Sequence, residues 1–189
     1  PRIRSISHTP RNTGEVVGRF PAPVRYVKIP NLGAGGARNR GIREASCDLV
    51  AFLDSDDEWM PFKLHLQRSL LQARPDVLFA FSDFAATDNE GRVTRRFLVN
   101  WHHDPRSWDK ILAPGEFFTS IGHLPAGCDD FRFYVGDLSP TEITSAYVLT
   151  SSMIARRREA GEALRFAEDV ATLEDFECFG RLSLAGPAA

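Results

Sequence analysis

Three carboxylates fall within four positions of this chain, in the segment Asp54-Ser55-Asp56-Asp57. They follow the apolar run 49–53, which predicts a short buried strand. Carboxylates crowded at the edge of a core repel one another, and each is pushed towards protonation unless a cation or strong donors compensate. Mg²⁺ and Mn²⁺ are suited to this because they prefer carboxylate oxygens and keep coordination sites for phosphate oxygens. The segment therefore predicts a divalent metal that bridges a phosphate-containing ligand.

A solvated acidic turn is the alternative, because Asp and Ser are common in turns and helix caps. The neighbouring elements favour a ligand site instead. Pro61 suits the first turn of a helix, so the carboxylates lie between a predicted strand and a predicted helix. In open α/β sheets, ligands bind beyond the carboxyl ends of strands, and this segment is at such an end.

Composition limits the class of protein. The 189 residues are enough for one domain with a substantial core, and 43% hydrophobic with 25% charged residues is typical of a soluble globular chain. A net charge of −2 gives no electrostatic footprint for nucleic acid. No apolar stretch approaches the roughly 20 residues that span a bilayer. Cys47, Cys128 and Cys178 form no CxxC pattern, which favours reduced cysteines in a cytoplasmic protein.

The elements that must position the carboxylates alternate between strand and helix patterns. Strands are predicted at 24–29, 48–53, 76–81 and 147–149, with a hairpin strand at 92–99. Helices are predicted at 34–45, from Pro61 to Arg74, at 153–164 and at 174–185. This alternation predicts an α/β fold whose sheet is at least partly parallel. The stretch 101–140 lacks periodicity, which is typical of a binding loop or lid.

A Gly-rich turn from Asn31 to Asn39 opens the first long helix. Glycine lets a backbone approach a ligand closely, and helix N-termini attract anions. The turn is not a dinucleotide fingerprint, because Arg38 stands where the third glycine would be, and it lacks the Gly-Lys-Ser/Thr of a P-loop. By itself, the glycine pattern is equally compatible with a tight turn that binds no ligand.

Two ordered sets of residues resemble a known family. The first set is Asn31-Leu32-Gly33, Ala37-Arg38-Asn39, Gly41-Ile42, Ala45, Phe52-Leu53-Asp54-Ser55-Asp56-Asp57, Trp59, Pro61 and Lys63-Leu64. The second, shorter set is Leu173-Glu174-Asp175-Phe176 and Arg181-Leu182. Together they resemble the core of family 2 glycosyltransferases and that family's Glu-Asp acceptor-side helix. The resemblance covers most of the chain from Val16 onwards and leaves Phe84–Ser145 unmatched.

The resemblance implies a GT-A fold, a Rossmann-like α/β/α sandwich with a mixed, mostly parallel sheet. It implies a single domain over residues 1–189 with a variable acceptor-side insertion at 85–145. The implied reaction is metal-dependent, inverting transfer of a sugar from a nucleotide-diphosphate sugar, a UDP-sugar first of all, to a saccharide or lipid-linked acceptor. Mn²⁺ or Mg²⁺ would be the cofactor, and the setting would be cell-surface polysaccharide biosynthesis, in the cytoplasm or at the inner face of the membrane.

Carried over by position, the family's roles fall on named side chains. The metal ligands would be Asp56, Asp54 and Asp57. The donor-binding residues would be Asn31, Gly33, Arg38, Asn39, Asp54 and Ser55. The general base would be Asp175, with Glu174 beside it. Without the resemblance, Glu174-Asp175 would be interpreted as an ordinary acidic start of a helix, which the helix dipole favours.

Other side chains have weaker claims to a functional role. Two adjacent histidines, His102 and His103, are expected to face solvent, and their role and that of His123 stay open. For Trp101, Trp108, Phe117 and Phe118, core packing is favoured over a sugar-stacking platform.

The chain departs from the family at its start. The usual apolar first strand and the second strand that ends in Asp-Asp-Gly-Ser are not visible, and Pro1–Arg11 is polar and irregular. We therefore expect a fragmentary domain, whose open sheet edge could pair with a second copy. A catalytically silent sugar-nucleotide-binding or interaction module is the alternative. An aspartate-nucleophile phosphatase is disfavoured, because Glu58 stands where that chemistry wants Thr or Val.

Overall fold

The computed structural model of this chain describes residues 4–5, 13–20, 23–170 and 172–189. Its helices are α1 (Thr13–Val17), α2 (Gly33–Glu44), α3 (Lys63–Ala73), α4 (Leu98–His102), α5 (Trp108–Ile111), α6 (Ser139–Glu142), α7 (Arg157–Ala160) and α8 (Glu174–Ala185). Its strands are β1 (Arg4–Ser5), β2 (Arg25–Tyr26), β3 (Leu49–Ala51), β4 (Phe79–Ala80), β5 (Ala86–Thr87), β6 (Val93–Thr94), β7 (Glu116–Phe117), β8 (Arg132–Phe133) and β9 (Ile154–Arg156). Turns of 3₁₀ helix stand at Phe118–Ser120, Thr150–Ser152 and Gly161–Ala163.

The central sheet has the strand order β3-β9-β4, so a strand from late in the chain lies between two early ones. β9 runs antiparallel to both neighbours, with Ala155 opposite Val50 on one side and opposite Phe79 on the other. β3 and β4 therefore run in the same direction. Beyond β4, Ala188 extends the sheet by a parallel bridge to Phe79.

Side chains that alternate along the central strands enter two different cores, as the period of a strand requires. Phe79 and Ala155 belong to a large apolar cluster with the buried residues of α8. Ala80 and Ile154 belong to a second cluster with the buried residues of α3. The sheet therefore has a helix on each face, and the predicted α/β layering is confirmed. Burial of such side chains on both faces is the main stabilising term of a fold of this type.

The expectation of a mostly parallel sheet is not confirmed. Among the described strands, β1 and β2 form a parallel pair, whereas β9 is antiparallel to both strands beside it. The physical reason is the insertion of β9 between β3 and β4. β3 and β4 run in the same direction, but β9 enters between them from the opposite end of the sheet and so makes both of its pairings antiparallel.

The long periodic segments were predicted closely. The helix expected at 34–45 is α2, the helix expected from Pro61 to Arg74 is α3, and the one expected at 174–185 is α8. The strands expected at 24–29, 48–53 and 76–81 are found as the shorter β2, β3 and β4. Apolar residues at helical spacing are the primary signal for such helices in a sequence. The three helices have it, although α2 buries Gly35, Gly36 and Asn39 rather than its apolar residues.

Two predictions near the end of the chain were wrong. Residues 147–149 form no strand, because Glu142 Oε2 accepts the Tyr147 backbone N–H at 2.9 Å and a 3₁₀ turn follows directly. The helix expected at 153–164 begins instead as strand β9, and only the short α7 and a 3₁₀ turn follow. Gly161 ends α7 with a φ of 49°, a left-handed value that favours glycine.

The predicted insertion at 85–145 consists of short elements rather than one open loop. It holds the hairpins β5–β6 and β7–β8 with the helices α4, α5 and α6. The predicted hairpin strand at 92–99 is confirmed only as β6, since α4 begins at Leu98. The division into one domain with an insertion at these bounds stays a prediction.

The start of the chain is described only in part. Most of Pro1–Arg11, expected to be irregular, lies outside the described residues. Arg4–Ser5 within it forms β1 and pairs in parallel with β2, so a strand is present where none was visible in the sequence. None of the helices in the described ranges combines the length and apolar character that crossing a bilayer requires.

Candidate functional site

The acidic segment forms a turn at the carboxyl end of β3, where the sequence predicted it. The Asp57 backbone N–H donates to the Asp54 carbonyl at 3.2 Å and closes the turn. The Asp54 backbone N–H donates to Ser151 Oγ at 2.9 Å, which ties the turn to the residues that precede β9. Asp54 is half-buried, and the three residues after it are exposed. The strand end therefore presents carboxylates to solvent on a fixed backbone.

Arg38 joins this turn to the start of α8. Its Nη2 donates to both carboxylate oxygens of Asp54, at 3.0 and 3.1 Å, and its Nη1 donates to Glu174 Oε1 at 2.6 Å. The Arg38 side chain is only 13% exposed, and so is that of Glu174. A planar guanidinium suits this task because its donors form a fixed fork. Arg38 thus holds the predicted donor side and the predicted acceptor side together.

The charge of Arg38 is secured by the same contacts. Burial alone would lower the pKa of its guanidinium, but the charges and hydrogen bonds of Asp54 and Glu174 outweigh it and raise the pKa above the ordinary value. The guanidinium also lies 5.2 Å from the centroid of the Phe166 ring, within the range of a cation–π contact. A permanently charged group therefore stands between two carboxylates.

Asp175 lies in the first turn of α8, next to Glu174. Thr150 Oγ1 donates to Asp175 Oδ2 at 3.2 Å, and the Phe176 backbone N–H donates to Asp175 Oδ1 at 2.9 Å. Leu173, the residue before the helix, has a φ of 66°, which is uncommon for a residue with a branched side chain. This left-handed residue sets the direction in which the Glu174-Asp175 pair enters the site.

The Gly-rich turn approaches the loop before α8 closely. A Cβ at Gly35 would stand 2.0 Å from the Ala167 carbonyl oxygen, so only glycine fits there. Asn31 Oδ1 accepts the Gly33 backbone N–H at 3.1 Å, and Gly33 has a φ of 70°. Asn31 and Gly33 are exposed at the start of α2, and binding of a donor by them stays a prediction.

Asn39 is buried, and its amide is used within the protein. Its Nδ2 donates to the Phe166 carbonyl at 2.8 Å and to Glu168 Oε1 at 2.7 Å. Its Oδ1 accepts the Phe166 backbone N–H at 2.9 Å. These bonds fix α2 to the segment 166–168, which leads towards α8. The expected donor-binding role of Asn39 is untested, and the contacts observed are structural.

The carboxylates do not form a ready-made metal cage. Among the described residues, no group of three or more His, Cys, Asp or Glu side chains converges as a metal set. Asp54 is bound to Arg38, and no hydrogen bond or ion pair to the carboxylates of Asp56 and Asp57 is found in the described part of the chain. Mg²⁺ commonly binds through one or two carboxylates together with substrate phosphates and waters. The exposed pair Asp56 and Asp57 fits a cation of that kind.

The structure separates the remaining candidates from this site. His123, for which no placement was predicted, is exposed. His103 is also exposed, as expected, but His102 is buried and stacks on Tyr147 with centroids 4.2 Å apart. Its Nδ1 accepts the Asp104 backbone N–H at 2.9 Å, so the solvent-facing prediction is wrong for His102. The reason is its place on α4, whose buried face turns it inwards.

The aromatic residues divide between packing and exposure. Phe118 is buried, and Trp108 packs partly buried against the larger core. Trp101 is 47% exposed and Phe117 is 49% exposed, so about half of each side chain packs against the protein and the other half faces solvent. None of the four takes part in the contacts of Arg38 or Asp175 described above.

Sequence reasoning missed the residues that hold the two carboxylates from behind. Thr150, Ser151 and Ser152 form a buried 3₁₀ turn between Asp54 and Asp175. Lys63, quoted in the resemblance without a role, is not part of this turn: it donates to Gln67 Oε1 and lies over the ring of Trp59, and burial lowers the pKa of its ammonium to about 8. The only signal for the turn was a run of three hydroxyl residues, which a sequence alone cannot tell from a surface loop.

Comparison with known proteins supplies the family. The family model described as "Glycosyl transferase family 2" matches residues 7–134. The match runs through most of the stretch 84–145 that was expected to lie outside the resemblance, so that expectation was wrong as far as residue 134. It ends before Glu174 and Asp175.

Individual relatives are similar over parts of the chain. The amylovoran biosynthesis glycosyltransferase AmsB of Erwinia amylovora is 29% identical over 77% of this chain and 40% of its own length. The putative teichuronic acid biosynthesis glycosyltransferase TuaG of Bacillus subtilis is 35% identical over 41% of this chain and 29% of its own length. An Escherichia coli UDP-Glc:alpha-D-GlcNAc-diphosphoundecaprenol beta-1,3-glucosyltransferase, WfgD, is 38% identical over 32% of this chain and 24% of its own length. The chain thus spans less than half the length of these relatives.

Proposed function

The chain belongs to glycosyl transferase family 2, and from that premise we propose that it transfers a sugar from a nucleotide-diphosphate sugar to an acceptor hydroxyl with inversion. The observation that carries the proposal is the Arg38 contact, which holds the Asp54 turn and the Glu174-Asp175 pair at one site. One group of carboxylates can then serve the leaving diphosphate while another serves the attacking hydroxyl.

On the donor side, we assign the diphosphate end to the exposed turn. Asp56 and Asp57 would hold Mn²⁺ or Mg²⁺, because their carboxylates face solvent in the described structure. When bound, such a cation supplies positive charge that stabilises the leaving diphosphate. Asp54, fixed by Arg38, would face the ribose, and the exposed Ser55 and the Asn31-Gly33 turn would line the nucleotide side. UDP is the donor nucleotide we expect first, since one relative is named for UDP-Glc.

On the acceptor side, Asp175 would act as the general base. The acceptor oxygen attacks the anomeric carbon from the face opposite the diphosphate, and the bond between that carbon and the diphosphate oxygen breaks. The hydroxyl proton passes to the Asp175 carboxylate, because a carboxylate positioned beside a reacting hydroxyl can act as its general base. Attack from the opposite face inverts the anomeric configuration. Glu174, paired with Arg38, would lie beside the base without taking the proton.

The acceptor class follows from the names of the relatives. They are named for amylovoran, teichuronic acid and a diphosphoundecaprenol-linked sugar, which are products or substrates of polysaccharide assembly. We propose a saccharide or lipid-linked acceptor in cell-surface polysaccharide biosynthesis for this chain. A site at the inner face of the membrane and a homodimer stay predictions.

Calorimetric titration with UDP and Mn²⁺ tests the donor assignment. We expect Asp56→Ala to weaken Mn²⁺-dependent binding by about tenfold or more, because a direct charge-assisted contact is lost. Asp48→Ala is the matched control, since Asp48 is an exposed aspartate at the other end of β3 that pairs with Arg158. Equal affinity in the starting protein and in Asp56→Ala would overturn the metal assignment.

The binding-only alternative makes a different prediction in the same titration. A silent module would bind UDP with Mn²⁺ and transfer no sugar to any acceptor. Release of UDP from a UDP-sugar that rises with acceptor concentration would exclude that alternative.

A further inference from the structure

The turn Thr150–Ser152 stands directly behind the proposed site and belongs to neither of its two halves. All three residues are buried, at 1%, 5% and 4% exposure. Buried hydroxyl groups in folded proteins are almost always hydrogen-bonded, so their partners show what they hold in place. The partners of this turn are residues on both sides of the site.

The donor side holds the turn through several bonds. Ser151 Oγ accepts the Asp54 backbone N–H at 2.9 Å, and the Ser151 carbonyl accepts Trp59 Nε1 at 2.7 Å. The Ser152 carbonyl accepts Gln67 Nε2 at 2.7 Å. The turn is thus anchored to the acidic turn and to α3.

The acceptor side receives a single hydroxyl from the turn. Thr150 Oγ1 donates to Asp175 Oδ2 at 3.2 Å, while Asp175 Oδ1 accepts the Phe176 backbone N–H. A carboxylate oxygen can accept more than one hydrogen bond, so both oxygens keep room for a further donor. The two bonds fix the plane of the carboxylate without blocking it.

These contacts close a ring around the site. Starting from the Asp54 carboxylate, the ring runs through Arg38 to Glu174, then along the chain to Asp175. It continues through Thr150 to Ser151 and returns to the Asp54 backbone. A closed ring of bonded groups limits how far its members can move apart, so it restricts the separation between the donor carboxylate and the base.

We propose that Thr150 is a positioning residue for the general base. It orients the Asp175 carboxylate from the anchored turn and thereby fixes the base relative to the donor site. The proposal rests on the proposed function, because it assigns Thr150 a role in that transfer. Misplacement of a reacting group by about 1 Å can cost on the order of 100-fold in rate, so the orientation of one carboxylate is enough to matter.

The substitution Thr150→Val tests the proposal, since it keeps the shape and removes the hydroxyl. We expect kcat for sugar transfer to fall by about tenfold or more, with the KM for the UDP-sugar unchanged within about twofold. Thr150→Ser, which keeps the hydroxyl, should restore most of kcat. Thr144→Val is the control, because the Thr144 hydroxyl bonds only to the nearby Thr141 carbonyl within the described residues and Thr144 is exposed.

Binding and turnover distinguish failure of the positioning role from failure of the proposed function. Calorimetric binding of UDP and Mn²⁺ by Thr150→Val, equal to that of the starting protein, shows that the variant is folded and binds donor. A kcat for Thr150→Val equal to that of the starting protein would overturn the positioning role and leave the proposed function intact. Loss of kcat in Thr150→Ser equal to that in Thr150→Val would also overturn it. Absence of transfer by the starting protein would overturn the proposed function first.

Discussion

At the scale of single residues, the site depends most on Arg38. Its guanidinium bonds to one carboxylate from the end of β3 and to another from the start of α8, although those elements are far apart in the chain. Asp54 is 37% exposed and Glu174 is 13% exposed, so solvent screens the Arg38–Asp54 ion pair more than the Arg38–Glu174 ion pair. Removal of Arg38 would leave two neighbouring carboxylates without a counter-charge.

Replacement of Arg38 by methionine should therefore destabilise the fold. We expect the free energy of unfolding to fall by about 2 kcal/mol, below the roughly 3–5 kcal/mol of a fully buried pair because Asp54 is partly solvated. Urea denaturation measures this change. Arg92→Met is the control, since Arg92 makes its ion pairs at 73% exposure and should lose less than about 1 kcal/mol. A loss for Arg38→Met no larger than that of the control would contradict the role of Arg38.

Much of the residue-scale site was predictable, and its connections were not. The order Asp54-Ser55-Asp56-Asp57 after an apolar run located the acidic turn, and the resemblance to a family pointed to Asp175. No spacing in the sequence indicates that Arg38 reaches Glu174 across 136 positions or that Thr150 reaches Asp175. Long-range hydrogen bonds follow from the packing of elements, which a local pattern does not contain.

At the scale of elements, α2 is placed by close contact with the segment before α8. Gly35 and Asn39 are on this helix, and they contact the backbone of residues 166–167. A Cβ at Gly35 would come within 2.0 Å of a backbone oxygen that cannot rotate away. The approach of α2 to this segment therefore requires a glycine.

The substitution Gly35→Ala should be destabilising although alanine is the better helix former. Alanine is favoured over glycine in a helix by about 1 kcal/mol, but overpacking against fixed backbone costs about 1–3 kcal/mol, so we expect a net loss. Gly180→Ala in α8 is the matched control, because a Cβ at Gly180 would meet no described atom outside its own helix within 4 Å. That variant should gain up to about 1 kcal/mol.

Thermal or urea unfolding of the two glycine variants gives the comparison. Opposite signs of the stability change are expected. A stabilised Gly35→Ala protein would contradict the close approach of α2 to the 166–168 segment.

The elements also differ in how far their own sequence determines them. The long helices α2, α3 and α8 were predicted because each carries a periodic apolar stripe, whereas β9 was predicted as part of a helix. Ile154 and Ala155 lie between two other strands and are buried, and a short apolar run of this kind fits a buried strand or helix equally well. Its neighbours in the sheet, not its own sequence, decide the outcome.

At the scale of the whole molecule, a buried carboxyl group makes stability depend on pH. Glu142 is fully buried on α6; its Oε2 accepts the Tyr147 backbone N–H, and its Oε1 has no partner among the described residues. Burial raises the pKa of Glu142 to about 8, and the charge of Asp175 adds to the rise, while backbone donors of Tyr147 and Val148 oppose it. The folded state therefore keeps a proton that the unfolded chain releases near pH 4.5.

The sign of the pH effect follows from this difference in proton binding. Between pH 4.5 and about 8 the folded state holds more protons, so the contribution of Glu142 to stability is full below pH 4.5 and is lost as pH rises. The slope is at most about 1.4 kcal/mol per pH unit. We expect Glu142→Gln to flatten the fall in melting temperature between about pH 5 and about 8, since a neutral amide has no proton to lose.

The exposed glutamate Glu159 provides the control for that experiment. Glu159→Gln should leave the slope of melting temperature against pH as it is in the starting protein. A slope for Glu142→Gln equal to that of the starting protein would contradict the buried, protonated state of Glu142.

The whole molecule assembles its site from distant parts of the chain. The chain that enters β9 brings the Thr150–Ser152 turn between the acidic turn and α8, and the family match ends at residue 134, before that assembly is complete. The proposed base therefore lies outside the matched region, and its assignment rests on the resemblance at Leu173-Glu174-Asp175-Phe176 together with the contacts at the start of α8.

The proposed transfer requires Asp175 to remove the proton of the acceptor hydroxyl at a site whose donor half is independent of it. Its test is kcat for transfer from a UDP-sugar with Mn²⁺, in the starting protein and in Asp175→Asn, with UDP affinity measured by calorimetry on both. We predict that kcat falls by about 100-fold or more, as loss of a general base requires, while the affinity for UDP stays within about twofold. Undiminished transfer by Asp175→Asn with intact donor binding would contradict the assignment of Asp175 as the base.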